Sequence, residues 1–134
     1  MIRYRELTGL DMESVKQIYA ALGWTAYLRD DDRLCRAWDK SLFALGAFDG
    51  DALIGFVRCI GDGEHTVWIQ DLIVLEEYQR KGIGKSLMQT VFDKYADVRQ
   101  VFVVTDAESP AVHFYRAVGM NSFDEGGMLA MFKQ

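Results

Sequence analysis

Apolar residues in this chain alternate between two spacings, one that suits strands and one that suits helices. Trp68 to Val74 is rich in β-branched and aromatic side chains, as a buried strand requires. Nine residues beyond Val74, a set begins in which Ile83, Leu87, Met88, Val91, Phe92 and Tyr95 recur at helical spacing on one face. The same reading runs along the whole chain. Residues 2–7 form a first strand, with Ile2, Tyr4 and Leu7 inward. A helix over 11–22 carries Met12, Val15, Ile18, Tyr19 and Leu22 and ends at Gly23. A second helix over 32–43 carries Leu34, Ala37, Trp38, Ser41 and Leu42, with Asp30, Asp31 and Asp32 at its positive end. A hairpin follows, 43–48 and 52–60 about Asp49-Gly50-Asp51. A turn at 61–64 leads into the 67–74 strand, and a later strand spans 99–105. Ser109-Pro110 opens a last helix that Gly119 closes, and Met128 to Lys133 reads as a final strand. Six or seven strands with about four helices predict an α/β or α+β three-layer fold on a mixed sheet.

Composition narrows the class. At 134 residues the chain has the size of one domain, residues 1–134, with a real core. Half the residues are hydrophobic and 26% are charged, the balance of an ordinary soluble protein. No apolar run is long enough to span a membrane, and the first ten residues lack a signal-peptide core. The net charge of −5 argues against a nucleic-acid partner. Cys35 and Cys59 lack metal-ligand spacing, so no metal is expected, and a reduced, cytoplasmic setting is the default.

The strongest chemical signal lies between the 67–74 strand and the helix after it. Gln79-Arg80-Lys81-Gly82-Ile83-Gly84 leads into that helix. The first amides of a helix have no internal partner, and the helix dipole favours an anion there. Gly82 and Gly84 let a ligand approach the backbone, and Arg80, Lys81 and Lys85 add positive charge. A phosphate or pyrophosphate is the expected ligand. Gly84-Lys85-Ser86 also looks like the end of a Walker A loop, but Gln79 stands where that loop needs its first glycine.

Gln79-x-x-Gly82-x-Gly84 resembles the acyl-CoA loop of the GNAT superfamily of N-acetyltransferases. Asp71-Leu72-Ile73-Val74 and Glu77-Tyr78-Gln79 resemble the words before it. Ser109-Pro110-Ala111-Val112-His113-Phe114-Tyr115-Arg116-Ala117-Val118-Gly119-Met120 resembles a later helix of the family. Glu108 departs from the pattern, standing where the family often has asparagine. The resemblance implies a GNAT-like acyl-CoA N-acyltransferase fold, with acetyl-CoA as co-substrate. It also implies direct transfer of the acetyl group to a primary amine in a ternary complex. The pyrophosphate would lie on Gln79, Arg80, Lys81, Gly82, Ile83, Gly84 and Lys85. The pantetheine arm would run along Leu72, Ile73 and Val74.

Tyr115 is the family's candidate acid, although its helix face, shared with Ala111, Phe114 and Val118, also suits a core aromatic. Asp71 is the candidate base or amine anchor, because a carboxylate within an apolar strand is costly unless paired. A structural aspartate tying down a loop explains it equally. Trp24 and Tyr27 are candidate walls of the acceptor site, or else parts of the core. The acceptor stays open among small amines, polyamine- or aminoglycoside-like molecules and protein amines. An edge strand near the C-terminus offers a route to a homodimer. Two rivals remain: a non-catalytic acyl-CoA-binding module on the same fold, and a nucleotide-phosphate enzyme.

Overall fold

A computed structural model describes residues 1–133 and resolves two compact units, Met1–Val103 and the chain from Val104 onward. The first unit holds five strands: β1 (Ile2–Glu6), β2 (Phe43–Asp49), β3 (Ala52–Gly61), β4 (Thr66–Val74) and β5 (Gln100–Val103). It also holds three α-helices: α1 (Met12–Ala21), α2 (Asp31–Asp39) and α3 (Ile83–Lys94). The strands form one sheet in chain order, antiparallel except for the β4–β5 pair. The parallel pair needs a crossover, and α3 supplies it.

Alternation along the strands divides the core. Phe56 and Ile73 join Val15, Ile18, Tyr19 and Leu34 in one buried cluster beneath α1 and α2. Val57 is fully buried but points to the opposite face, since neighbouring strand residues alternate. There α3 lays its stripe of Ile83, Leu87, Met88 and Val91, each at most 3% exposed. In the second unit, α4 (Ala111–Ala117) begins where Ser109 Oγ accepts from the Ala111 N–H at 3.1 Å.

Several expectations are corrected. The sheet has five strands, not six or seven. Residues 128–133 have strand-like composition but form no strand among the described residues, and Met128, Leu129, Met131 and Phe132 stay exposed. A strand exists only where a partner edge takes its backbone groups. Helix α2 stops at Asp39 rather than 43, because the Leu42 N–H already donates to the Cys59 carbonyl at 2.8 Å and joins the sheet. Tyr4, on the outer strand, is 39% exposed, and Leu22 lies past the end of α1 at 38%. Among the described residues, no helix is long and apolar enough to cross a membrane.

Two features of β3 are tested by substitution. Gly55 faces Val74, and an added Cβ would sit 2.7 Å from the Ile73 carbonyl oxygen. Backbone cannot yield as a side chain does, so Gly55→Ala is expected to cost about 1–3 kcal/mol in urea unfolding. In the β3–β4 turn, Asp62 Oδ1 accepts from the Glu64, His65 and Thr66 amides at 2.9, 2.9 and 3.0 Å. These bonds hold its carboxyl down at about 2. The stabilisation is present above the ordinary carboxylate range and is lost as pH falls through about 2. Unfolding curves of wild type and Asp62→Ala should therefore converge between about pH 4 and pH 2.

Candidate functional site

The sheet opens along β4. Parallel pairing with β5 runs from Thr66↔Gln100 to Ile69↔Val103 and ends there, while β4 continues to Val74. Residues 70–74 therefore keep β3 on one side and, among the described residues, have no strand on the other. On the β3 side, the Leu75 N–H donates to the Ile54 carbonyl at 2.9 Å. A trans peptide directs the Val74 carbonyl the opposite way, toward the open edge. There Gln79 Nε2 donates to it at 2.9 Å, so the loop glutamine closes the end of the strand. Of the three candidate pantetheine residues, Ile73 is buried and Leu72 and Val74 are half-buried.

The loop after β4 has the backbone of an anion cradle. Gly82, capping α3, is left-handed at φ 81°. Arg80 is also left-handed at φ 63°, the single such non-glycine residue among those described. Alternating left- and right-handed residues turn successive amides toward one concavity. Gly82 has no atom within 4 Å of an added Cβ, so the glycine serves conformation and access rather than close packing. Ser86 N–H is the first to bond back, to the Gly82 carbonyl at 3.0 Å, which leaves the amides of Ile83, Gly84 and Lys85 facing outward. Arg80, Lys81 and Lys85 are exposed, and Lys81 Nζ lies 5.6 Å from the centre of the Tyr78 ring.

Asp71 sits just after the point where β4 leaves β5, and its carboxylate is completely enclosed. Its Oδ2 accepts from Arg58 Nε and from Tyr19 Oη, each at 2.7 Å, and its Oδ1 accepts from Tyr27 Oη at 3.1 Å. Arg58 and Asp71 are direct cross-strand partners. Burial drives the Arg58 guanidinium down, but the Asp71 charge and hydrogen bond, with Tyr19 and Tyr27, together more than offset it and leave the group firmly cationic. Burial, then the neighbouring carboxylate, pushes the Tyr19 phenol far up. The Tyr27 phenol is also raised, by burial first, with the Gln70 hydrogen bond opposing. Both phenols are therefore neutral donors.

A β-bulge shapes this cluster. Arg58 pairs with Asp71 and Cys59 with Ile69, so Gln70 is an extra residue in β4. Consecutive strand residues normally point to opposite faces. Here Gln70 Nε2 donates to Tyr27 Oη at 3.1 Å, and the same oxygen donates to Asp71. The bulge brings both side chains to one hydroxyl.

Tyr27 lies on a 3-10 turn, Thr25–Leu28, between α1 and α2. It packs on Tyr19 with ring centres 4.7 Å apart, and Trp24 stacks on Tyr19 at 6.1 Å while staying 40% exposed. Trp38 and Phe56 close the inner side, with the Arg58 guanidinium 5.3 Å from the Trp38 ring. The aromatic segment therefore completes the core with Tyr19 and still presents Trp24 outward.

The structure thus brings Asp71 and Tyr27 into one hydrogen-bonded group and places Trp24 beside it. The sequence reading missed Arg58, Tyr19 and Gln70 as members. A signal existed: Arg58 is the one charge in the apolar run 53–60, as Asp71 is in β4, and two such charges on neighbouring strands call for each other. Cys59 is inert, its thiol pushed up to about 12 by burial. In the second unit, Tyr115 is half-buried and packs edge-on against Phe114 at 5.3 Å. Burial raises its phenol, and its hydroxyl makes no hydrogen bond among the described residues.

The chain matches the Acetyltransferase (GNAT) family model over residues 11–120. It is 30% identical over 133 residues to an uncharacterized ycf52-like N-acetyltransferase of Prochlorococcus marinus, covering 96% of this chain and 73% of that relative. Its structure is similar to that of a GNAT family acetyltransferase from Streptococcus pneumoniae, at TM-score 0.89 and 35% identity, covering 100% of this chain and 98% of the other. An aminoglycoside N-acetyltransferase solved with CoA shares the fold at TM-score 0.78 and 17% identity, covering 100% of this chain and 94% of that one.

The buried pair makes a stability prediction. Removing one partner strands a charge in the core, so Asp71→Leu should cost about 3–5 kcal/mol in urea unfolding. The double substitution Arg58→Met with Asp71→Leu removes both charges and should recover at least half of that loss.

Proposed function

Since this chain belongs to the acetyltransferase (GNAT) family and is an acetyltransferase, we propose that it moves the acetyl group of acetyl-CoA onto a primary amine by direct attack in a ternary complex. The observation that carries this is the junction at the end of β4. An open strand edge over residues 70–74 runs into a left-handed loop and outward-facing helix amides. A pantetheine arm needs backbone partners along an extended edge, and a pyrophosphate needs converging amides. In this reading Leu72, Ile73 and Val74 line the arm, and Gln79 to Lys85 hold the pyrophosphate. Residues 1–134 act as a single cytoplasmic acetyltransferase domain.

The amine nitrogen attacks the thioester carbonyl; a C–N bond forms and the C–S bond breaks. The amine must be neutral, and a lysine-type amine with pKa of about 10.4 is mostly protonated at neutral pH. Its proton passes to water, drawn by the Asp71 carboxylate through the Tyr27 hydroxyl. The departing sulfur takes a proton from Tyr115, and the proton that the new amide nitrogen sheds passes through solvent to restore the phenol, so the products are the amide and free CoA thiol. A raised phenol with an uncommitted hydroxyl supports that role, because it is protonated and free to donate. Trp24 and Tyr27 border the acceptor, for which a cationic small amine suits a chain of net charge −5.

Calorimetric titration with acetyl-CoA, CoA and ATP tests the cofactor. Acetyl-CoA and CoA should bind saturably. Gly82→Ala, which forces a side chain to φ 81°, should weaken both roughly tenfold. ATP binding without CoA binding would overturn the reading. Thiol release from acetyl-CoA with tryptamine, spermidine and a lysine peptide as probes tests transfer. Tyr115→Phe should lower kcat by about 10²-fold or more with acetyl-CoA affinity unchanged. Full turnover in that variant would remove Tyr115 as the acid. Acetyl-CoA binding with no turnover of any amine would point to a binding module.

A further inference from the structure

We propose that Arg58 is a positioning residue for acetyl transfer, acting through Asp71 on Tyr27 so that the Tyr27 hydroxyl meets the acceptor amine as a hydrogen-bond acceptor. This rests on the acetyl-transfer reading above.

A phenol oxygen offers one proton and two lone pairs. The Tyr27 proton is directed to Asp71 Oδ1 at 3.1 Å, because an ionised carboxylate can only accept. One lone pair takes the Gln70 amide at 3.1 Å. A single lone pair remains. Asp71 itself is out of reach of any acceptor, since its side chain is 0% exposed. Tyr27 is half-buried and Gln70 is exposed, so the cluster meets its surroundings through this hydroxyl and this amide.

The direction of the Tyr27 O–H matters to the chemistry. The attacking amine needs its own lone pair for the carbonyl carbon. A hydroxyl that accepts from an amine N–H orients the nitrogen and leaves that lone pair free. A hydroxyl that donates to the nitrogen occupies the pair needed for attack. Arg58 decides between the two. Its Nε, 2.7 Å from Asp71 Oδ2, pairs with the enclosed carboxylate and fixes its rotamer. Its Nη1 donates to Ser41 Oγ at 3.3 Å, just past the end of α2, and its guanidinium lies 5.8 Å from the centre of the Tyr27 ring. Without this cation Asp71 Oδ2 loses its cross-strand partner, the carboxylate is free to turn away from Tyr27, and the direction of the Tyr27 O–H is no longer fixed. The β4 bulge completes the arrangement, since Gln70 and Asp71 reach the same oxygen only because one extra residue is inserted there.

The test uses the full chain as wild type, Arg58→Met, Arg58→Lys, Tyr27→Phe and the double variant Arg58→Met with Tyr27→Phe. Acetyl-CoA affinity is measured by calorimetry. KM and kcat are measured with tryptamine, spermidine and a lysine peptide, and hydrogen exchange is followed at residues 25–28. Acetyl-CoA affinity should stay within about twofold of wild type, since a one-hydrogen-bond change on the acceptor side does not reach the cofactor. The amine KM should rise about five- to tenfold in Arg58→Met and in Tyr27→Phe, with Arg58→Lys between them and wild type. The double variant should be no worse than the worse single, because both act on one hydroxyl. Amides of 25–28 should exchange faster in Arg58→Met and Tyr27→Phe while those of β2 do not change.

Multiplying effects in the double variant, an unchanged amine KM, or unchanged exchange at 25–28 would each overturn the proposal. If Arg58→Met does not fold, Arg58→Lys and Tyr27→Phe carry the same comparison. Failure of the acetyl-transfer reading shows separately, as wild type that neither binds acetyl-CoA nor releases thiol with any probe; the exchange comparison then still decides whether Arg58 holds Tyr27.

Discussion

A buried carboxylate beside a buried guanidinium governs how this sheet meets its helices. Neither charge is tolerable alone in a core, and each is placed by a strand that has no other reason to carry it. Arg58 and Asp71 face each other directly across β3 and β4. Tyr19 from α1 and Tyr27 from the following turn then supply the remaining donors, so one carboxylate ties together two strands, a helix and a loop. Such pairs are poor sources of net stability compared with apolar packing. Their value here is geometric, because four groups must adopt one arrangement to satisfy them.

That constraint lies next to the place where β4 separates from β5. The pairing ends at Ile69, the bulge inserts Gln70, and Asp71 turns inward at the following position. A strand that lost its neighbour would ordinarily fray. This one is held on its other side by β3, below by the Asp71 cluster, and at its end by the Gln79 side chain on the Val74 carbonyl. The open edge can therefore stay extended and unpaired. The left-handed residues Arg80 and Gly82 then redirect the chain so that α3 starts with its free amides close to the end of that edge. An extended strand edge thus leads directly into a left-handed loop and a helix start with free amides.

Much of this was legible in the residues. The period of apolar positions located α1, α2 and α3 and the five strands of the described residues, and Ser109-Pro110 with Gly119 bounded α4. Asp71 stood out as a carboxylate within an apolar strand. The failures share one cause. Residues 128–133 have strand-like composition but no partner edge among the described residues, and residues 40–43 have helical spacing but a β3 carbonyl waiting for Leu42. Local pattern records what a segment prefers and cannot record what its neighbour in space will accept.

The sequence by itself determined the family and the order of elements through α4, because these depend on side chains at short separations along the chain. Only the tertiary structure decided that Asp71 is enclosed, that Arg58 is its partner, and that Gln70 shares a hydroxyl with it. Those facts depend on a single inserted residue in the register of two antiparallel strands. A one-residue bulge changes which groups meet without changing any periodicity strongly enough to read, so the contacts it creates become visible only when both strands are in place.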